Sequence, residues 1–434
     1  MRDTAALAQG LASTLRWASP RRSVSSTALF NVASTGAAGL GGLILARAVG
    51  PAVRGEYAAV TAWFGITLAI GSMGQPGALC FYVAREPMRA REYVATSRAM
   101  MLATGSLALA IGLLLVPVLA QGDPTVASAY RIAFGASIIG FLGASYTFSL
   151  QARHLQRWNR VRVSQPVCSL LATSLLWQLH LLTLNIAMLV LAATTMLQLA
   201  WAYSSCRSVG LVPGRAQARL ARPLAGYGAA QIAGVAPAAL NAQLDKLVLS
   251  QTVRPALLGL YAVAVSLSLL PGPLVSAVGY VAFPRLASQT TVTSETIRLQ
   301  RLAILGSIAI SVVTLLPLAA IAYWVVPFVF GPSYRGAVPI LWALTPGTIF
   351  GLSNGVLGDL LCGRKRPAVV AWAEGLAAVF TVVMLFLLVP EFSVYGAAIA
   401  STAAYVIAFT IMAWYLWRRL APASASKIMP GTDR

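Results

Sequence analysis

Apolar runs of about twenty residues recur along this chain, with short clusters of arginine between them. That alternation restricts the fold more than any other feature. A bilayer core needs roughly 20 mostly apolar residues per spanning helix, and it leaves no backbone polar group unpaired. Twelve such runs can be drawn, at about 25–49, 57–79, 97–119, 128–150, 163–182, 184–205, 224–250, 256–282, 300–325, 338–361, 368–389 and 395–417. Only 10% of the 434 residues are charged and 58% are hydrophobic, whereas a soluble domain carries about 25% charged residues. The expected class is an all-α polytopic membrane protein.

Lysine and arginine assign the sides. Placed between successive runs, 26 of the 32 basic residues fall on one side and six on the other, in strict alternation. The six are Arg47, Arg54, Arg131, Lys246, Arg254 and Arg335. Basic residues concentrate on the cytoplasmic side of membrane proteins, so both termini are expected inside. The net charge of +21 therefore reflects topology, and no loop is long enough to present a nucleic-acid surface. Cys80, Cys168, Cys206 and Cys362 are far apart and show no CxxC spacing, so neither a disulfide framework nor a metal site is expected.

The halves resemble each other. Leu43–Ala58 (LILARAVGPAVRGEYA) aligns with Leu247–Ala262 (LVLSQTVRPALLGLYA) at a constant offset of 204 residues. Pro51, Gly55 and Tyr57 are matched by Pro255, Gly259 and Tyr261. Parallel repeats related by an axis along the membrane normal are a common transporter plan. The expected organisation is a cytoplasmic N-terminus (1–24), a six-helix lobe (25–206), a cytoplasmic linker (207–223), a second six-helix lobe (224–417) and a cytoplasmic tail (418–434).

Ionisable residues inside spans are costly and point to function. The seventh run holds Gln231, Pro237, Asn241, Gln243, Asp245 and Lys246; the first holds Asn31 and Arg47. Two polar runs at equivalent positions suggest a shared cavity lined by Asn31, Arg47, Asn241, Asp245 and Lys246. Arg47 has two readings, snorkelling to the interface or meeting an anion in the cavity. Asp245 and Lys246 are adjacent, so they diverge by about 100° around a helix. Asp245 then needs another partner, with Arg47 the candidate, either as an ion pair fastening the lobes or as a substrate contact. Lys246 could instead snorkel outward. Asp359 is read as an interfacial ion pair with Arg364, Lys365 and Arg366. Glu374 either joins that cluster or serves as the proton-coupling group. Gln198 and His180 read as packing residues. His154 and His180 fall on opposite sides, and no phosphate-binding loop is present, so neither a histidine-based site nor a nucleotide motor is expected. No cofactor is expected.

Several stretches resemble the polysaccharide-export flippases of the Wzx type, in the multidrug/oligosaccharidyl-lipid/polysaccharide (MOP) superfamily. They are LILARAVGPAVRGEYAAVTAW, LQARHLQRWNRVRV, QLDKLVLSQTVRPALLGLYAVA, FPRLA, FGPSYRGAVPILWAL, LLCGRKRPAVV and YGAAIASTAAY, in that order. The resemblance implies a V-shaped pair of lobes in the bacterial cytoplasmic membrane. The implied activity is translocation of undecaprenyl-diphosphate-linked oligosaccharide by alternating access. Basic cavity residues would meet the diphosphate or acidic sugars, and Arg47 and Lys246 are the positions that would carry this role. Membrane lipids, a glycan polymerase and glycosyltransferases are the implied partners. Two alternatives stand beside it. One is a cation- or proton-coupled exporter of small molecules, for which Asp245 and Glu374 supply carboxylates. The other is a membrane enzyme of glycan assembly, against which the short outer loops count.

Overall fold

A computed structural model describes residues 20–287, 294–364 and 366–418. Most of the expected N-terminal segment, the tail beyond 418 and Lys365 lie outside the described residues. The described chain is helical throughout. In order, its α-helices are α1 (Pro20–Gly71), α2 (Gln75–Arg85), α3 (Ala90–Leu119), α4 (Pro124–Arg153), α5 (Leu155–Gln178), α6 (Leu184–Ser208), α7 (Ala218–Thr252), α8 (Pro255–Ser268), α9 (Gly272–Ala287), α10 (Ser294–Phe330), α11 (Ala337–Gly363) and α12 (Pro367–Arg418).

Local chemistry sets several of these ends. Asp123 caps α4: its carboxylate accepts from Thr125 N at 2.7 Å and Val126 N at 3.1 Å, with Pro124 at the first helical position. An N-cap of this kind satisfies backbone donors that the helix cannot. Thr183 does the same for α6. His180, with φ 56°, turns the chain between α5 and α6.

Two 52-residue helices are each interrupted by a break. α1 breaks at Gly50, whose φ of 74° and ψ of 176° suit glycine alone, with Pro51 restarting the helix. α12 breaks at Ser393, with φ 51° and ψ −129°, three residues after Pro390. The expected second run also breaks, at Met73 and Gly74, which have positive φ, before continuing as α2. The expected eighth run bends by 44° between α8 and α9, at Pro271.

Among the described residues, seven helices are long and apolar enough to cross a membrane, or eight if the bent pair α8–α9 is one span. The difference from the twelve expected runs has physical causes. α1 and α12 each hold more than one span length in a single broken helix. α5 and α7 fall outside the test; α5 carries Arg157, Arg160, Arg162 and Gln165, and α7 carries Gln231, Asn241, Gln243, Asp245 and Lys246. The apolar side chains that point away from the protein, among them Leu114, Val313, Trp324, Phe328 and Phe386, form the surface a bilayer would cover. The protein is a multi-pass membrane protein.

The helices pack as two bundles. Leu79, Tyr93, Leu150 and Cys206 form one core with Leu224, and Tyr130, Phe134 and Met188 form another beside it. In the second half, Leu249, Tyr261, Leu341 and Leu385 share a core, and Val275, Leu357, Leu360 and Met412 share the next. α1 links the two, because Ala46 and Ala59 are buried within the second-half core.

Candidate transport site between the two halves

The two copies of the repeat meet each other. A β-carbon on Gly55 would overlap the Pro255 carbonyl oxygen and stand 2.8 Å from Gly259 N. Reciprocally, one on Gly259 would overlap the Pro51 carbonyl oxygen and stand 3.1 Å from Gly55 N. Pro51 and Pro255, like Gly55 and Gly259, are related by the 204-residue offset. The contact is thus pseudo-symmetric, and only glycine lets the backbones approach so closely. It lies on the basic-poor side of the bundle.

Further bonds close that side. Arg47 Nη1 donates to the carbonyls of Phe328 and Val329, both at 3.2 Å. Tyr334 donates to the Ala46 carbonyl at 2.8 Å; burial pushes its phenol up to about 12, so it remains a donor. Trp63 Nε1 and Gln121 Nε2 reach Ser250 Oγ and its carbonyl, each at 3.4 Å. Arg54 is buried, with its guanidinium 5.4 Å from the Tyr57 ring centroid.

Away from this seal, a cleft of about 510 Å³ separates α1 and α5 from α8, α9 and α11. Asn31, Ser34, Thr35 and Arg162 line one wall; Leu269, Ser276 and Leu352 line the other. Arg162 donates to Asn31 Oδ1 and lies 4.2 Å from the Trp158 ring centroid. Stacking on an indole orients a guanidinium while its fork of donors can still meet an anion.

A second cavity, of about 820 Å³, lies among α7, α8, α11 and α12. Leu269 and Leu352 line both spaces. Asp245, Asp359 and Glu374 all face this cavity, and no Lys, Arg or His lines it among the described residues. Asp245 is buried and accepts from Tyr261 OH at 2.6 Å and from Lys246 N at 2.7 Å. Asn241 accepts from Thr381 Oγ1 at 2.8 Å, and its amide lies beside the Glu374 carboxyl. Asn354 Nδ2 donates to the Tyr405 carbonyl at 3.0 Å.

Of the residues singled out in the sequence, Asn241, Asp245 and Glu374 come together in this cavity, and Asn31 lies in the cleft. Arg47 and Lys246 line neither. Lys246 Nζ bonds within its own helix, to Gln243 Oε1 at 2.8 Å. The Arg47–Asp245 pair does not form among the described residues, because Arg47 reaches the end of α10 whereas Asp245 faces Tyr261. Asp359 and Glu374 turn into the cavity rather than toward Arg364 and Arg366. Gln198 bonds the Val161 carbonyl at 3.2 Å, a packing role as expected. The sequence pattern does not single out Arg162; its one signal is Trp158 four residues earlier, a spacing that stacks side chains on a helix. Among the described residues no group of His, Cys, Asp and Glu could hold a metal ion.

The family model described as polysaccharide biosynthesis protein matches residues 21–290, more than half of the chain. An uncharacterized membrane protein of Methanocaldococcus jannaschii is 30% identical over 110 residues, which is 24% of this chain and 22% of that protein. This chain's alignment thus spans less than a quarter of that relative's length. Among solved structures, the lipid II flippase MurJ in an inward closed conformation superposes with a TM-score of 0.74 at 12% identity, over 89% of this chain and 87% of that one. An inward-facing multidrug resistance MATE transporter of the MOP superfamily gives 0.70 at 12% identity, over 92% and 96%. The fold is therefore the one these transporters share. Matched by the family model over most of its first 290 residues and carrying that fold almost end to end, the chain belongs to the polysaccharide biosynthesis protein family.

Proposed function

We propose that the protein is a flippase that moves an undecaprenyl-diphosphate-linked oligosaccharide across the bacterial cytoplasmic membrane by alternating access. Both termini then lie in the cytoplasm, residues 25–206 and 224–417 act as the two lobes, and the basic-poor seal faces outward. The observation that carries this reading is the polar cleft bearing Arg162, roofed by a contact that the repeat makes with its own copy. When such a contact parts, Ala46 and Ala59 of α1 leave the second-half core while Leu249, Tyr261, Leu341 and Leu385 stay packed within their own half, as alternating access about a pseudo-symmetry axis requires. Arginine suits a diphosphate because its planar fork binds phosphate oxygens in pairs.

In this reading Arg162, with Asn31 beside it, takes the anion-contact role, and Arg47 fastens the outer seal. Lys246 stays a candidate contact once the halves part. Asn241, Asp245 and Glu374 form the buried group through which a cation or proton gradient would drive the cycle. A glycan polymerase and glycosyltransferases of the same pathway would be the working partners. Depleting the protein should trap the glycan-loaded carrier on the inner leaflet, and restoring it with Arg162→Ala should leave that accumulation in place. Normal surface glycan without accumulation would sink the proposal. A second reading, a cation-coupled exporter of small molecules, is favoured by the three carboxylates of the larger cavity. Its mark would be drug efflux that Asp245→Asn abolishes.

A further inference from the structure

The two spaces differ in character although they share a wall. The cleft carries a guanidinium, whereas the cavity beyond Leu269 and Leu352 carries carboxylates, amides and tyrosines without a single basic side chain among its described lining residues. Its size also exceeds what ion coupling requires. At about 30 Å³ of liquid volume per water, 820 Å³ would hold roughly 27 waters, within the range of about 300–1,000 Å³ that encloses whole small molecules.

The polar atoms facing it are of both kinds. Asn354 is 4% exposed and its Oδ1 has no hydrogen-bond partner. Gln231 Oε1 is likewise unpartnered. Both are acceptors. Both residues belong to the cavity wall. A sugar hydroxyl both donates and accepts, and it suits amide oxygens and carboxylates together. Tyr227, exposed at the cavity and stacked on Phe81 at 4.6 Å between centroids, adds an aromatic face against which a pyranose can lie. An acidic sugar meets the opposite situation. Its carboxylate would lose water in a space with no cation to replace it, next to Asp359 and Glu374.

We infer that this second cavity is the sugar subsite of the transported lipid, and that it selects uncharged sugars next to the diphosphate and rejects glycuronic acids. The inference rests on the flippase reading and narrows it: the cleft's arginine serves the diphosphate alone, and glycan selectivity resides in the second half.

The test uses the full chain in proteoliposomes with three probes: bare undecaprenyl diphosphate, the same lipid carrying a neutral hexose trisaccharide, and one whose first sugar is a hexuronic acid. Translocation is read by exposure to an impermeant glycosidase or phosphatase. Separately, Cys362, an exposed thiol that lines the cavity, is labelled with a maleimide in a Cys80→Ser, Cys168→Ser, Cys206→Ala background. The neutral probe should cross at least about tenfold faster than the uronate, a difference of about 1.4 kcal/mol, and should slow Cys362 labelling, which the uronate and bare lipid leave unchanged. Asp359→Asn should narrow the neutral-to-acidic ratio. Equal rates for both glycans, with bare lipid still transported, would overturn the inference and leave the flippase reading standing. Protection of Cys362 by tetraphenylphosphonium but not by the neutral probe would also overturn it. Failure to transport any of the three would remove the flippase reading and the inference with it.

Discussion

Replacing Gly55 with alanine should open the seal between the two repeats. The added β-carbon would lie 2.8 Å from Gly259 N and 2.7 Å from the Pro255 carbonyl carbon, and it would overlap that carbonyl's oxygen. Ordinary carbon contacts sit at about 3.5–4.0 Å, so the backbones must separate by at least about 0.7–1.2 Å. No flexible side chain is present to yield, because every clashing atom is backbone. Overpacking of this kind costs about 1–3 kcal/mol. The cost falls only on the state in which the halves touch, so the population of the parted state should rise about 5- to 150-fold. The assay places a cysteine at Ser250, whose carbonyl and hydroxyl bond across the seal, in a chain lacking its four native cysteines. A water-soluble maleimide added to both faces then reports access to the seal. Gly65→Ala is the control, since nothing lies within 4 Å of a β-carbon there. Gly259→Ala should act like Gly55→Ala. The double variant should be less than additive, because both substitutions break one contact. Unchanged labelling at Ser250→Cys in a folded Gly55→Ala protein would refute the reasoning.

Three further outcomes follow from single contacts. Tyr261→Phe leaves the buried Asp245 carboxylate short of its 2.6 Å hydrogen bond, and hydrogen bonds to charged groups contribute about 1.5–3 kcal/mol; the melting temperature in detergent should fall, whereas Tyr323→Phe, on an exposed side chain, should not change it. Arg47→Ala removes two bonds to the end of α10, and labelling at Ser250→Cys should rise by less than in Gly55→Ala, because Arg47 is solvent-exposed and its bonds compete with water. His154, between α4 and α5, is held below its ordinary value, first by burial and then by Arg157 and Arg153. Its neutral form is the one the fold prefers, so the unfolded chain binds the proton more tightly. That contribution is complete above about 6.5, the usual imidazole value, and is lost as the pH falls through the depressed folded value. Thermal stability should therefore decline on acidification, and His154→Gln should flatten that part of the profile.

Much of the molecule was legible in the one-dimensional pattern. Lipid is a uniform solvent, so the requirement for apolar helices acts on every segment separately, and the runs could be read without knowing their neighbours. The repeat was legible for a related reason: two segments in equivalent surroundings, here Pro51–Tyr57 and Pro255–Tyr261, keep equivalent residues. The resemblance to polysaccharide-export flippases, drawn from motifs spread over the chain, agrees with the family match and with the fold. Single-helix polarity singles out Asn241 and Asp245, and both line the larger cavity.

What a side chain meets across helices was not legible. Arg47 and Asp245 each lacked a partner within their own helix, and pairing opposite charges was the natural guess. Packing instead carries Arg47 to the carbonyls ending α10, where a helix exposes acceptors it cannot satisfy itself, and sets Asp245 against a tyrosine sixteen residues further along. Asp359 and Glu374 lie close in sequence to Arg364 and Arg366, yet rotation about α11 and α12 turns them inward. Arg162 extends into the cleft because α5 begins at Leu155 and carries it along the helix. Periodicity and composition determine which segments enter the membrane. The rotation of each helix about its axis is set by the summed packing of its neighbours, and that rotation decides which charges face a cavity and which fasten a seal.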